Sequence, residues 1–415
     1  MIRPLLSRRG AAADRLPTAV HVLGVIAFFV AVGFGVVVPV LPVFTRSFGV
    51  GQFETGMVVS SFALMRLVTS PFTGRLIDRL GERTVLVAGV LIVALSSAAM
   101  GLAQTYEQLL VFRAAGGIGS SMFTVSAMTL LIRSTAPNQR GRATGTFQTG
   151  FLVGNMAGPA VGGLLAAVSI RAPFFFYALT LVGAALVGVF LLQGHGRTTG
   201  AADAGAGQGT ELLAPRPFRT VLADLRYQAA LVCNFANGWS SLGIRSSLMP
   251  VLVVEVLHHT PVWTGIALAI AAVVQTVAIQ PAGRFVDRVG RRPAMVAGSL
   301  IGAVAMVGIA FAPTIWLLVA ALCVNAVGVA LMGTAPAATV GDVAGARSGT
   351  PVAVFSMAGD AGQIIGPLAA GAIADGLDLS GAFLTGTLLM ALAALASVRM
   401  PRPDRDGDQP VEVAR

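Results

Sequence analysis

No lysine occurs among the 415 residues, so all 28 basic side chains are arginine. Charged residues of both signs make up only 11% of the chain. A water-soluble globule carries about a quarter, so a fold with a fully solvated shell is excluded. The two cysteines, Cys233 and Cys323, stand singly in apolar surroundings. Without paired spacing they support neither a disulfide framework nor a thiolate zinc site, and they read as small apolar fillers. The four histidines, His21, His195, His258 and His259, form no metal-spaced set. "GAGQG" at 205–209 has no strand before it, so it is not a phosphate-binding loop. The chain therefore reads as a non-enzyme with no metal and no cofactor, and any work it does draws on an ion gradient instead of ATP.

What is present is apolar. Hydrophobic residues reach 55% and the mean hydropathy is +0.81. They come in blocks of roughly 20 residues, long enough for a helix to cross a hydrocarbon core of about 30 Å. Six blocks lie near Thr18–Phe44, Thr55–Leu76, Thr84–Ala103, Gln108–Ile132, Ala143–Ala167 and Pro173–Leu192. Six more lie near Tyr227–Leu257, Trp263–Ala282, Pro293–Ala312, Ile315–Met332, Thr350–Ala372 and Ala382–Val398. The first is too long for a signal-peptide core and no small-residue cleavage site follows it, so it counts as a span. The organisation expected is an N-terminal bundle over 1–192, a flexible linker over 193–226, a C-terminal bundle over 227–399 and a disordered tail over 400–415.

Counting arginines in alternate loops places 23 of the 28 on one side: both termini, the linker and the loops carrying Arg75, Arg79, Arg83, Arg284 and Arg288. Only Arg46 and Arg171 fall on the other side. The positive-inside rule then puts the rich side, with both termini, in the cytoplasm of an inner or plasma membrane. The net charge of +10 is accounted for by this orientation and by contact with anionic lipid headgroups. It requires no nucleic acid.

Against this apolar background "GRLIDRLGERT" at 74–84 sets five charges within Arg75–Arg83, and "GRFVDRVGRRP" repeats it from Gly283, 209 residues later. Gly158-Pro159 returns as Gly366-Pro367, and Arg140 in "NQRGRATG" returns as Arg347 in "GARSGT". Two copies of one six-helix unit, related by an axis along the membrane normal, account for these repeats.

These residues resemble the major facilitator superfamily over nearly the whole chain. Gly74, Asp78, Arg79 and Gly81, with Gly283, Asp287, Arg288 and Gly290, match its loop signature G-x-L-x-D-R-x-G-R-[KR]; Glu82 departs from it where a basic residue is usual. The resemblance implies an all-α membrane protein of twelve transmembrane helices in two pseudo-symmetric bundles. It also implies that these residues, with Arg140 and Arg347, act as a conformational gate that latches the halves together. "GNMAGPAVGG" resembles the fifth-helix motif of the family's drug/proton antiporters through Gly154, Gly158, Pro159, Gly162 and Gly163; the second copy, with Gly366 and Pro367, is looser. "RAAGGIGSS" matches the fourth-helix signature through Arg113, Gly117 and Gly119, whereas the tenth span offers Asn325 in "NAVGVALMG".

Ionisable groups inside a membrane are functional candidates by default. Here they are Arg66, Arg113 and Arg245, against a single deep carboxylate, Asp360. Removal from water disfavours an ionised carboxylate, which suits a proton carrier, and Arg113 would act on it by field. A static salt bridge from Asp360 to Arg66, Arg245 or the loop arginines is the alternative. Arg66, Arg245, Asn234, Asn237, Trp239, Gln275 and Asn325 are expected to face a substrate cavity whose positive field favours a neutral or anionic amphipathic molecule. Glu54, Glu107 and Glu255 read as solvated mouth residues, and Phe174–Tyr177 as a membrane-interface belt. The function expected is proton-coupled efflux by a monomer. A metabolite importer or a non-transporting sensor on the same fold is the alternative.

Overall fold

The computed structural model describes residues 16–135, 139–192, 218–344 and 349–401. The linker from 193 to 217, Arg347 and the tail from 402 lie outside the described residues. Pro17 stands just ahead of α1 (Thr18–Val37), where its missing N–H costs nothing. Pro39 falls in the turn before α2 (Leu41–Arg46), and these two helices make the first span. Then follow α3 (Gln52–Leu80), α4 (Glu82–Leu102), α5 (Tyr106–Ser134), α6 (Arg140–Val168) and α7 (Ala172–Leu191). The second half opens with the short α8 (Phe218–Ala223) and a broken seventh span. That span comprises α9 (Leu225–Asn237), a π-helical stretch Gly238–Ile244, α10 (Arg245–Val251) and a second π stretch Leu252–Val256. It closes with α11 (Pro261–Val289), α12 (Arg291–Ala310), α13 (Ile315–Ala344), α14 (Gly349–Gly376) and α15 (Leu379–Val398). Ten of the described helices are long and apolar enough to cross a membrane. The other two spans are α3, which carries Arg66 at its midpoint, and the seventh, which the π stretches divide into short pieces.

Each half has its own apolar core. In the first, Leu23, Ile26, Leu86, Leu109, Leu131 and Tyr177 belong to one cluster; in the second, residues from Val221 onward form two. Helices in lipid associate where small residues let backbones close up, and the duplication repeats these seams. A methyl group on Gly89 of α4 would stand 2.7 Å from the carbonyl oxygen of Gly119, and one on Gly328 of α13 would stand 3.0 Å from that of Gly298. Both members of the second pair lie 209 residues beyond those of the first.

The aromatic run of α7 is only in part the interface belt expected: Phe175 is exposed, whereas Phe174 and Tyr177 are buried, the Tyr177 ring filling the space that Gly33 of α1 leaves. Trp263 and Trp316 instead make an edge-on pair, centroids 5.5 Å apart, at the start of α11 and α13, where amphipathic rings suit a membrane boundary.

One end of the bundle, here the loop end, carries the turns after α3 and α11. At both, glycine is required: Gly81 has φ 81° and Gly290 φ 113°, backbone that L side chains rarely adopt. At the opposite, far end the halves are in contact. Gly56 of α3 faces the Pro367 carbonyl, Gly371 of α14 faces that of Gln52, and Gly265 of α11 faces that of Pro159. Ser60 donates to the Ile364 carbonyl at 2.6 Å. Among the described residues, the hydrogen bonds joining the halves run from mid-bundle to the far end, and nothing lies within 4 Å of a methyl placed on Gly74, Gly81 or Gly283. The halves meet at the far end and part toward the loop end.

Candidate functional site

At mid-bundle Arg66 of α3 donates from Nη2 to Asp360 Oδ1 of α14 at 2.9 Å and to Gln363 Oε1 at 3.3 Å. Both partners of the ion pair are 30% exposed, because a cavity of about 330 Å³ opens beside them. That is room for a small drug-sized molecule. Its wall includes Arg66, Leu67 and Ser70 of α3, Ser121, Thr124 and Val125 of α5, and Asp360. Ser70 donates to the Arg66 carbonyl at 2.7 Å, and the Ser121 hydroxyl lies 3.1 Å from those of both Ser70 and Thr73. This hydroxyl cluster ties α3 to α5 one turn toward the loop end from the ion pair. Of the pairings open to Asp360 in the sequence, the structure selects Arg66.

Arg113 is not in that wall. It is buried among apolar residues of α5, and its guanidinium carbon lies 4.3 Å from the centroid of the Phe62 ring and 5.7 Å from that of Phe34. Among the described residues its Nε and Nη1 have no hydrogen-bond partner, and the ring faces are its compensation. Arg245 opens α10 directly after a π stretch and meets no carboxylate among the described residues. Asn234 donates to the Phe355 carbonyl at 2.7 Å and Trp239 to Thr385 Oγ1 at 3.2 Å, so both fasten the seventh span to its neighbours. Asn325 is fully buried with its amide unpartnered, and Asn237 Oδ1 also lacks a donor. Gln275 is half-buried on α11.

The fifth-helix glycines form the joint of α6. Methyl groups on Gly154 and Gly158 would stand 2.7 Å from the carbonyls of Phe28 and Val32 in α1, and one on Gly163 would stand 3.0 Å from that of Val262 across the seam. Gly366 and Pro367 do the corresponding work on α14, against Trp239 and α3.

The charged phrases act within each half. Asp78, Arg79, Asp287 and Arg288 are exposed. Arg83 donates to the Val189 carbonyl at the end of α7, and its counterpart Arg292 donates to that of Val398 at the end of α15, at 2.6 Å. Glu82 is paired with Arg133 at the end of α5. In the second half Arg291 meets Asp342 at 3.0 Å, and Asp287 at 3.7 Å. Positions 82 and 291, like 133 and 342, are 209 apart. The departure at Glu82 is thus a reversed copy of one ion pair. Arg140 opens α6.

Sequence reasoning missed the far end. Glu255 is no free mouth residue: Arg46 binds it through two nitrogens, at 2.9 and 3.1 Å. Asp375 accepts from the backbone N–H groups of Gln52 and Phe53, both at 2.8 Å. The 209-residue spacing of Arg46 and Glu255 was the available signal for the first pair; nothing in the sequence points to the second contact.

The sequence profile described as Major Facilitator Superfamily matches residues 23–278 and 230–415. Multidrug resistance protein 1 of Bacillus subtilis (strain 168) is 28% identical over 391 residues, 91% of this chain and 94% of that protein. Multidrug resistance protein 2 of the same organism is 34% identical over 167 residues, 40% of this chain and 42% of that protein. The quinolone resistance protein NorA of Staphylococcus aureus (strain MSSA476) is 24% identical over 351 residues, 84% of this chain and 88% of that protein. Among solved structures, a bacterial homolog of the human lysosomal transporter Spinster, inward-facing and occupied, superposes with a TM-score of 0.77 at 16% identity, over 91% of this chain and 95% of that one. A point mutant of the nucleoside transporter NupG gives 0.73 at 15% identity, over 92% and 99%. At these identities the superpositions establish the fold. With a two-half helical bundle, a mid-bundle cavity and a profile match along nearly its full length, this chain belongs to the major facilitator superfamily and is a multi-pass membrane transporter of small molecules, not an enzyme.

Proposed function

We propose that the chain exports small amphipathic molecules in exchange for protons, by alternating access, working as a monomer in the inner or plasma membrane with its loop end in the cytoplasm. The observation that carries this reading is the Arg66–Asp360 pair. It joins the two halves, it borders the cavity, and Asp360 can take a proton whereas arginine cannot give one up. Protonation of Asp360 would remove the charge pairing and leave Arg66 tied to the other half at this level by its weaker bond to Gln363. In the present state the pair is formed and the halves part toward the loop end, as suits an inward-open carrier that has delivered its proton. The arginine count supports this orientation, and the names of the multidrug and quinolone resistance relatives support the direction and substrate class. In the ion-paired state that takes up substrate from the cytoplasm, Arg66 and Asp360 cancel and are the only charged residues of the described cavity wall, which favours neutral amphiphiles over permanently charged ones.

The test is export in a host lacking its own pumps, followed by everted vesicles in which substrate-driven proton movement is recorded. Asp360→Asn is expected to abolish gradient-driven export while leaving downhill exchange. Uphill export by Asp360→Asn at the unmodified rate defeats the coupling scheme. Substrate movement inward with the proton would replace the exporter with an importer.

A further inference from the structure

At the far end, α3 begins without a cap of its own. Gly51 occupies the N-cap position and has no side chain to offer, although the first N–H groups of a helix need acceptors. The acceptor comes from the other half: Asp375, at the end of α14, takes one N–H on each carboxylate oxygen, from Gln52 and Phe53 at 2.8 Å. A carboxylate there also complements the positive end of the helix dipole. Beside it Arg46 grips Glu255 with Nε and Nη2, across the halves again, and its Nη1 donates to the Val50 carbonyl in the loop leading to α3.

Arg46 and Glu255 occupy equivalent positions of the two repeats. They are 209 residues apart, the offset of the charged phrases and the glycine seams. A position close to the pseudo-twofold axis meets its own copy, and identical charges there would repel. This chain has arginine in one copy and glutamate in the other, so a self-contact became an attraction. All three side chains sit where the substrate route would leave the protein on the far side.

We infer that Asp375 and the Arg46–Glu255 pair are the far-side gate of the transport cycle: a trans helix cap and a charge clasp that hold the exit shut and must break for the cavity to open there. This rests on the alternating-access reading above, but not on Asp360 as the proton carrier. Separation of the halves exposes the uncapped first turn of α3 to water and frees Arg46 and Glu255 together, so the gate opens as one unit.

The experiment measures the gate directly. In a background with Cys233→Ala and Cys323→Ala, spin labels are attached at Val168→Cys and Leu377→Cys, far-end positions of opposite halves that are 85% and 81% exposed. Their distance distribution is recorded by pulsed electron resonance without substrate or gradient. Asp375→Asn and Glu255→Gln are each expected to raise the long-distance population at least about fivefold, since each removes a charge-assisted contact. Reversing both charges, Arg46→Glu with Glu255→Arg, is expected to bring the distribution back to that of the unaltered clasp. Unchanged distributions in both single variants overturn the inference, as does a reversed pair that stays as open as Glu255→Gln. Should one single variant fail to fold, the other single variant, compared with the unaltered protein, decides. Because no gradient is present, failure here leaves the coupling scheme standing, and failure of Asp360→Asn to uncouple export leaves the gate standing.

Discussion

Four glycines of α6 range from open space to close contact with a neighbouring helix, so one substitution repeated along α6 separates packing from propensity. Gly145 is open: a methyl there meets nothing within 4 Å. Alanine gains about 1 kcal/mol over glycine inside a helix, so Gly145→Ala should stabilise. Gly162 has the opposite surroundings, for a methyl would stand 2.2 Å from the carbonyl oxygen of Val36. Ordinary contact needs roughly 3.5 Å, so α1 and α6 must separate by about 1 Å and loosen the whole seam. Overpacking of this kind costs about 1–3 kcal/mol, which outweighs the helical gain. Because the helical gain is common to both, the two variants should differ by the overpacking cost, about 1–3 kcal/mol, or about 2–6 °C if each kcal/mol moves the midpoint about 2 °C. Gly154→Ala and Gly158→Ala, at 2.7 Å, should fall between them. Thermal unfolding in detergent, followed by the loss of monodisperse protein on gel filtration, orders the series. Equal midpoints for Gly162→Ala and Gly145→Ala would refute the close α1–α6 seam.

Other expectations follow from the same geometry. Gly163→Ala presses on Val262 across the seam at 3.0 Å, so it should lengthen the Val168–Leu377 label distance while leaving the melting midpoint within about 1 °C; an unchanged distance counts against the joint. Arg133→Ala strands the buried Glu82 and should cost about 1 kcal/mol, the exposed arginine limiting the loss. Copying the second half, Glu82→Arg with Arg133→Asp, should recover most of that in the same melting assay, and a swap as damaging as the single change would sink the reversed-pair reading. Gly81→Ala and Gly290→Ala force left-handed backbone on a residue with a side chain and should each cost about 1 kcal/mol or more. Gly74→Ala and Gly283→Ala meet open space in this state. If the loop signature latches the halves in the opposite state, these two should slow transport without lowering the midpoint, which the helical gain of alanine should raise slightly; transport at the full rate in both would remove the latch.

The fold was legible because its determinants are local and repeated. Blocks of apolar residues specify spans, a strong arginine bias specifies sides, and the offset of 209 residues carries structure far beyond the two charged phrases that first display it. It places Arg83 and Arg292 on equivalent carbonyls, Gly89–Gly119 and Gly298–Gly328 in equivalent seams, and Arg46 opposite Glu255. The deep carboxylate was also legible, since Asp360 stands alone among apolar neighbours, but its partner was not. Choosing Arg66 over Arg245 and the loop arginines requires the rotation of each helix about its axis, and α3 is apolar on too many sides for periodicity to fix it. The same ignorance of rotation made Phe174 and Tyr177 look like a belt when Phe174 packs against Phe44 and Gly33 had cleared space for Tyr177 in the core.

The end-of-span acids carry a different lesson. An Asp or Glu there is usually solvated, so Glu255 read as a mouth residue without a partner named for it, and Asp375 offered no local reason to be singled out. Their significance is relational: Asp375 matters because Gly51, more than three hundred residues away, leaves a helix uncapped, and Glu255 matters because its duplicate is Arg46. Glu82 follows the same logic, for it breaks the family's loop pattern but preserves the ion pair by exchanging charges with Arg133. In a duplicated protein an isolated departure from a signature is therefore best compared with its copy before it is counted as a loss. Here that comparison converts one anomaly into a structural pair and one pair of end-of-span charges into a gate.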